Sequence, residues 1–398
     1  MAQPTLDKDR IQSLDIMRGF ALLGILLANS VIFQYGMAGT TSFGPVAIDL
    51  YPNGSVDRAT HFIIQLFVDG SFYTLFSFLF GYGMALQKER LLARNVNFSA
   101  IYWRRTILLL VFGLLHLFLL WRGDILVGYA LAAMILFVFL LLPTRAIGIV
   151  AIVWLSLFAS TALLPPVDAE LMTSGYPEDE AQVLAHGSYA EVVQFRLNND
   201  LGGITDIGFP FWIGESLFQF TTVLGVFGMF LAGAYTARKK WLENPSEHTK
   251  LFAYLLVGTG VLGLAAKLPH ALSTDYNTQL EYLSQLAGAP LVAMFYATSV
   301  VLLANSRVFW RLLSPLAVIG RMAFSNYILQ SLVFTTLFYG YGVGMFAELG
   351  LFYGALLALA FFVVQVLVSN LWLSVFRIGP LEYIWRMGTY LSLPRLKR

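Results

Sequence analysis

The sequence predicts an all-α integral membrane protein with about ten transmembrane helices in one bundle and both termini cytoplasmic. Three observations predict it. Of the 398 residues, 58% are hydrophobic and 12% charged, a balance that the polar surface of a soluble domain could not cover. Ten apolar stretches, residues 19–36, 62–86, 104–121, 124–142, 146–164, 214–236, 251–269, 287–304, 313–338 and 350–376, reach or approach the roughly 20 helical residues that span a hydrocarbon core. With the termini inside, all 25 lysines and arginines except Arg58, Arg122, Arg196 and Lys267 fall on the inner side, as the positive-inside distribution requires. The lipid bilayer is therefore the expected surrounding.

The net charge of +2 is sorted across the membrane and not gathered in one patch, so no nucleic-acid partner is expected. The absence of cysteine excludes disulfides and thiol chemistry. No clustered His/carboxylate spacing supports a metal site. Oligomerisation is left open.

In chain order, Asp15 and Arg18 lead into the first stretch, which reads as a retained span because no small-residue cleavage site follows it. The second span carries Asp69 in its interior, followed by Gly70, Ser71 and Tyr73. The third and fourth form a hairpin through the turn Trp121-Arg122-Gly123-Asp124. The fifth closes an N-terminal half, residues 1–164. A polar, acidic linker follows over 165–213, with Asp168, Glu170, Glu178, Asp179, Glu180, Glu191, Asp200 and Asp206 against Arg196 alone. Within it, the apolar residues of 189–197 predict a short amphipathic helix over the bundle. Residues 214–398 form a C-terminal half. Its ninth span is entered by a stripe of Arg321, Ser325, Asn326 and Gln330 at helical spacing, and its end, past the Gly379-Pro380 break, reads as an interfacial helix with Tyr383, Trp385 and Arg386.

Several residues are candidates for chemistry. His116 lies inside an apolar run, about five helical residues below Trp121, and an ionisable group in a span is expensive unless it has a use or a partner. Asp124 follows it by eight residues across the turn. One reading makes Asp124 a helix cap and His116 an interhelical hydrogen-bonding group; the other makes His116 a general base oriented by Asp124 in a cavity open to the outside. His61 with Asp69 is a lesser pair. Asp69, Asn326 and Gln330 are candidates for a substrate or proton path, or for helix-to-helix hydrogen bonds. Arg18, Arg105 and Arg321, with Arg104, sit at inner span ends, where topology alone demands basic residues and where guanidinium forks could also hold phosphates.

Several segments together resemble a known family. LDIMRGFALLGILLANS (14–30), DGSFYTLFSFLFGYGMAL (69–86), the HxxxxWxGDIL segment inside 104–131, GRMAxSNYxLQS within 319–344 and GPLEYxWR within 376–386 look like the YeiB-like bacterial inner-membrane family, a domain of unknown function. That family is grouped with the transmembrane acyltransferases, among them enzymes that decorate surface polysaccharides and the lysosomal heparan glucosaminide acetyltransferase. The resemblance implies acyl transfer from a cytoplasmic acyl-CoA at the basic inner face to an extracytoplasmic or lipid-borne hydroxyl or amine of a glycan, lipid or small molecule, and Arg18, Arg105 and Arg321 are then the expected holders of the CoA phosphates. No covalently bound cofactor is implied. Asp15 and Arg18 match the opening motif, and His116 with Asp124 match the HxxxxWxGDIL segment. The chain departs from the polysaccharide enzymes in the first span, where Asn29 stands and no histidine follows Arg-Gly; the lysosomal enzyme's histidine falls between the first two helices, where only His61 could stand in. Two other expectations remain: a proton-coupled transporter or exporter of a small or lipid-like molecule, using Asp69, His116 or Asp124, and a non-catalytic membrane accessory protein.

Overall fold

The computed structural model describes residues 10–39, 54–164, 176–198, 210–273 and 277–397. Lys8, Asp168, Glu170, Asp200, Asp206 and Arg398 lie outside the described residues. Helix α1 (Gln12–Tyr35) is followed by α2 (Ser55–Ile63), which passes through a π-helical turn, Ile64–Val68, into a break at Asp69 and resumes as α3 (Ser71–Leu92). α4 (Phe98–Leu115) continues into a second π turn, His116–Leu120, and the tight turn then leads to α5 (Leu126–Phe139) and α6 (Thr144–Ser160). Two linker helices, α7 (Tyr176–His186) and α8 (Tyr189–Asn198), come next. The C-terminal part contains α9 (Phe211–Gly225), α10 (Phe227–Arg238), α11 (Thr249–Leu272), α12 (Thr278–Tyr282) with a π turn Leu283–Gly288, α13 (Ala289–Ala304), α14 (Arg307–Arg321), α15 (Ala323–Phe338), α16 (Gly350–Val375) and α17 (Pro380–Tyr390).

The protein is a multi-pass membrane protein. Seven of its described helices are long and apolar enough to cross a bilayer, and nine if each of two bent pairs counts as one span. Each of the ten apolar stretches falls on one of these helices or pairs or on α5. At 14 residues, α5 reaches only about 21 Å at 1.5 Å per residue, short of a core of about 30 Å. Bulky apolar side chains point outward from the bundle, among them Leu157, Val257, Leu312 and Leu371, as the lipid-facing side of a membrane protein requires.

The two parts of the chain interleave. α1 crosses α14 and lies against α15 and α16, while α10 packs between α3 and α6. The α1/α14 crossing is close because glycine occupies both sides of it. A Cβ at Gly19 would stand 1.9 Å from the Leu316 carbonyl oxygen, and one at Gly320 would stand 1.9 Å from that of Asp15. Small residues at such crossings let backbones approach and gain dispersion contact that lipid tails cannot replace.

The sequence treats residues 313–338 as one run, but the structure bends α14 from α15 by 79°. Met322 leaves the helical region, with φ −118° and ψ 32°, and Glu382 of α17 receives the first amides of α15, from Phe324 at 2.8 Å and Ser325 at 3.1 Å. The carboxylate satisfies donors that a continuous helix would have paired internally. The bend parts the predicted polar stripe, leaving Arg321 on one helix and Ser325, Asn326 and Gln330 on the next. The linker's predicted amphipathic helix is α8, which buries Val192 and Arg196.

Candidate functional site

The hairpin of α4 and α5 brings His116 and Asp124 together. The Trp121 amide bonds the His116 carbonyl at 2.8 Å, which closes the π turn, and π turns gather at functional positions because they redirect side chains. His116 Nδ1 lies 2.7 Å from Asp124 Oδ1, and Asp124 Oδ2 accepts the Val127 amide at 2.8 Å. The carboxylate therefore caps α5 with one oxygen and holds the imidazole with the other. An ionised carboxylate can only accept, so Nδ1 carries the proton and Nε2 of a neutral ring is left as an acceptor. That atom lies 2.8 Å from Ser331 Oγ on α15. His116, Asp124 and Ser331 are 4%, 2% and 1% exposed.

The three do not stand in a cavity open to the outside, as the general-base reading expected. The Tyr327 ring lies 5.2 Å from the imidazole on one side and the Trp121 ring 6.3 Å away on another. Phe33 packs 4.2 Å from Trp121 and 5.4 Å from Phe334. Tyr327 and Trp121 thus set aromatic rings against the histidine, and Phe33 and Phe334 continue the layer from Trp121.

A cavity of about 310 Å³ approaches this group from the arginine-rich end, a size within the range of small-molecule sites. Arg10, Arg18, Arg90, Arg94, Arg105, Arg321 and Arg386 line it, against Asp15 and Glu382. Deeper, its walls are apolar, including Leu22, Ile25, Phe76, Leu79, Phe80 and Leu109, and it ends against Ile125, Leu126, Tyr129 and Tyr327. Ile125 follows Asp124 in sequence, and Tyr327 is one turn before Ser331. Asp15 is bound by Arg10 (2.9 and 3.0 Å) and by Arg18 at 3.0 Å. The Arg105 guanidinium lies 4.3 Å from the Trp385 ring, whose Nε1 donates to the Arg105 carbonyl at 3.1 Å. α17 is thus docked in the bundle and forms one wall of the cavity, which adds to the interfacial role read from its sequence.

Burial pushes the Glu382 carboxyl above the usual carboxylate range, while hydrogen bonds from Ser325 and Phe324 pull it back. A carboxyl raised in the folded state stabilises most below its unfolded pKa, and that contribution is lost as pH rises through the raised value. Hydrogen exchange, corrected for its intrinsic pH dependence, should therefore show residues 380–390 losing protection as pH climbs from about 4 toward neutrality. Glu382→Gln should flatten the profile, and protection that grows with pH would contradict this account.

The structure gathers Arg18, Arg105 and Arg321 at one cavity and pairs His116 with Asp124. It does not bring Asp69, Asn326 or Gln330 to that cavity. Asn326 Nδ2 donates to Ser369 Oγ (3.1 Å), Gln330 Nε2 to Gln365 Oε1 (2.9 Å) and Gln365 Nε2 to the Asn326 carbonyl (3.0 Å), a ladder between α15 and α16. Arg104 bonds its own helix at Ala100 (3.0 Å). Asp69 accepts from Gln285, and its carbonyl accepts from Lys267 Nζ at 2.7 Å. Lys267, fully buried, is thus a span residue held by a polar break and not an exception to loop topology.

The sequence reading missed Ser331 and four of the cavity's arginines. A serine one residue past Gln330 was the available sign of the first; the arginines were visible by side but not by direction around each helix.

Residues 236–392 match the model of a family described as "Protein of unknown function (DUF418)". The chain is 34% identical over 396 residues to the uncharacterized protein YxaH of Bacillus subtilis (strain 168), covering 98% of this chain and 96% of that one. It is 28% identical over 401 residues to the uncharacterized protein YeiB of Escherichia coli (strain K12), covering 96% of each. It is also 28% identical over 389 residues to an uncharacterized 39.9 kDa protein in the amylase 3' region of Bacillus acidopullulyticus, covering 96% of this chain and 94% of that one. The family match over 236–392, together with a likeness to bacterial relatives that runs nearly end to end, means that the chain belongs to the DUF418 family.

Proposed function

We propose that the protein is a membrane-embedded acyltransferase of the bacterial cytoplasmic membrane, with both termini in the cytoplasm. It takes an acyl-CoA at the arginine-lined mouth and passes the acyl group to a hydroxyl or amine that is extracytoplasmic or carried by a lipid. The observation that carries this reading is the cavity's polarity: guanidinium groups at one end, apolar walls along its depth, and an end one residue from Asp124 and one helical turn from Ser331, the two hydrogen-bond partners of His116. Such a site suits an amphiphilic anion whose phosphates pair with arginine forks while its acyl thioester lies among apolar side chains. His116 Nε2 serves as the base that makes the attacking group nucleophilic.

The test is turnover of a labelled acyl-CoA by the purified protein, lost in His116→Ala. Arg105→Ala and Arg18→Ala should each weaken coenzyme A binding by about 10- to 100-fold, the worth of one charge-assisted contact. The loss should shrink at high salt. Equal affinity in wild type and both variants, measured by calorimetry, would remove the phosphates from this cavity.

One observation favours a second reading, proton-coupled transport: a buried lysine, Lys267, held against the helix break at Asp69. Ionisable groups kept inside spans serve as proton relays. Proton-dependent flux in liposomes without acyl-CoA, lost in Lys267→Met, would support it.

A further inference from the structure

Ser331 has no part in the reaction as proposed so far, yet its hydroxyl is turned away from its own helix and onto an imidazole. Thr298 and Thr236 bond back one turn to the carbonyls of Met294 (2.8 Å) and Ala232 (2.9 Å). Ser331 reaches across to α4, 2.8 Å from His116 Nε2, and keeps only a 3.4 Å approach to the Tyr327 carbonyl of its own helix. With Asp124 2.7 Å from Nδ1, hydroxyl, imidazole and carboxylate form one continuous chain. A weak hydroxyl nucleophile is activated in this way: a base within hydrogen-bonding reach, itself oriented by a third group.

Position supplies a second argument. The cavity stops at Tyr327, a turn before Ser331, and the layer of Trp121, Phe33 and Phe334 lies on another side of His116. A donor in the cavity and an acceptor arriving past the aromatic layer could react directly only if the protein opened through its whole depth. A covalent carrier between them removes that requirement.

We infer that Ser331 is the nucleophile of a two-step transfer, an inference that rests on the acyl-transfer reading for its donor. In the first step His116 Nε2 takes the Ser331 proton as Oγ bonds to the thioester carbonyl carbon; the C–S bond breaks, and the thiolate leaves with that proton as a thiol. In the second step Nε2 takes the proton of the acceptor hydroxyl or amine, which attacks the acyl-serine carbonyl. The C–Oγ bond breaks and Ser331 Oγ recovers the proton. Asp124 stays ionised and stabilises the imidazolium in both steps. Tyr327, which lines the cavity and packs on the imidazole, is the side chain that turns aside to admit the acyl chain.

The test uses the full-length protein in lipid nanodiscs with two probes: an alkyl fluorophosphonate, and a labelled acyl-CoA quenched before any acceptor is added. Peptide mass spectrometry should find both adducts on Ser331, the acyl one cleaved by hydroxylamine. Phosphonylation should slow by about 100-fold or more in His116→Ala and quicken in Tyr327→Ala. Ser331→Cys, which keeps a nucleophile of similar size, should move the acyl adduct to the new thiol. No adduct at position 331 in wild type or in folded Tyr327→Ala would overturn the inference. Acyl-CoA turnover that survives Ser331→Ala but not His116→Ala would overturn it while leaving the acyl-transfer reading standing. Phosphonylation of Ser331 without any acyl-CoA turnover would keep the nucleophile and remove the donor.

Discussion

Alanine at position 124 should lose both acyl transfer and a large part of the protein's stability, whereas asparagine there should lose mainly the transfer. Each Asp124 oxygen has one partner, His116 Nδ1 at 2.7 Å and the Val127 amide at 2.8 Å, and the residue is 2% exposed. Alanine leaves both donors buried without an acceptor, at roughly 3–5 kcal/mol for a broken buried pair. Asparagine can still receive the Val127 amide through its carbonyl, but it then turns an N–H toward His116. The imidazole must accept at Nδ1 and carry its proton on Nε2, the tautomer that cannot take a proton from an attacking group. A drop of about 10⁴ in kcat is expected for such a change. Thermal unfolding followed by tryptophan fluorescence, beside acyl-CoA turnover, separates the two effects. If both variants unfold early and both keep full turnover, the pair is a helix cap and nothing more.

Gly320→Ala should damage folding and coenzyme A binding together. The added Cβ would meet the Asp15 carbonyl oxygen at 1.9 Å, a backbone atom that cannot step aside as a side chain would. α1 and α14 must therefore separate by on the order of an ångström, and overpacking of this kind costs about 1–3 kcal/mol or more. Arg18 follows Asp15 by three residues and Arg321 adjoins Gly320, so the separation also moves two of the cavity's guanidinium groups. Gly258 of α11 is the control, because a Cβ there has nothing within 4 Å. Gly258→Ala should be neutral or stabilising by up to about 1 kcal/mol. Detergent melting and calorimetric titration with coenzyme A report the two effects, and a Gly320→Ala protein that matches the control in both would show that the crossing tolerates a wider gap.

The membrane fold was legible because apolar length is a local property: each stretch counted along the chain coincides with a helix or a bent pair. The bend at Met322 was not legible. Glu382, sixty residues later, holds it, and within 313–338 only Pro315 and Gly320, which a continuous helix can tolerate, weaken the run. The His116–Asp124 pairing could be anticipated, since a tight turn returns the chain beside itself after eight residues. Ser331 could not, because a single serine in an apolar helix usually bonds its own backbone, and only the packing of α15 against α4 turns this one outward. Basic residues declare the side of the membrane they favour but not their direction around the helix. For that reason Arg18, Arg105 and Arg321 were singled out as phosphate holders and Arg10, Arg90, Arg94 and Arg386 were not. Lys267 was set aside as an outlier of loop counting, when burial against Asp69 is what holds it.

The π turn at His116–Leu120 ties the site to the chain's length. Five residues there occupy the place of about four, so His116 and Trp121 keep their relative bearings only while that surplus residue is present. Deleting any one of residues 117–120 would let the ladder revert to ordinary winding and rotate the remainder of the hairpin by roughly a quarter-turn or more. Asp124 would then face away from the imidazole, although every chemically active side chain was still encoded. Insertions and deletions in this short stretch are thus a more sensitive gauge of a working site than the identities of the residues that fill it.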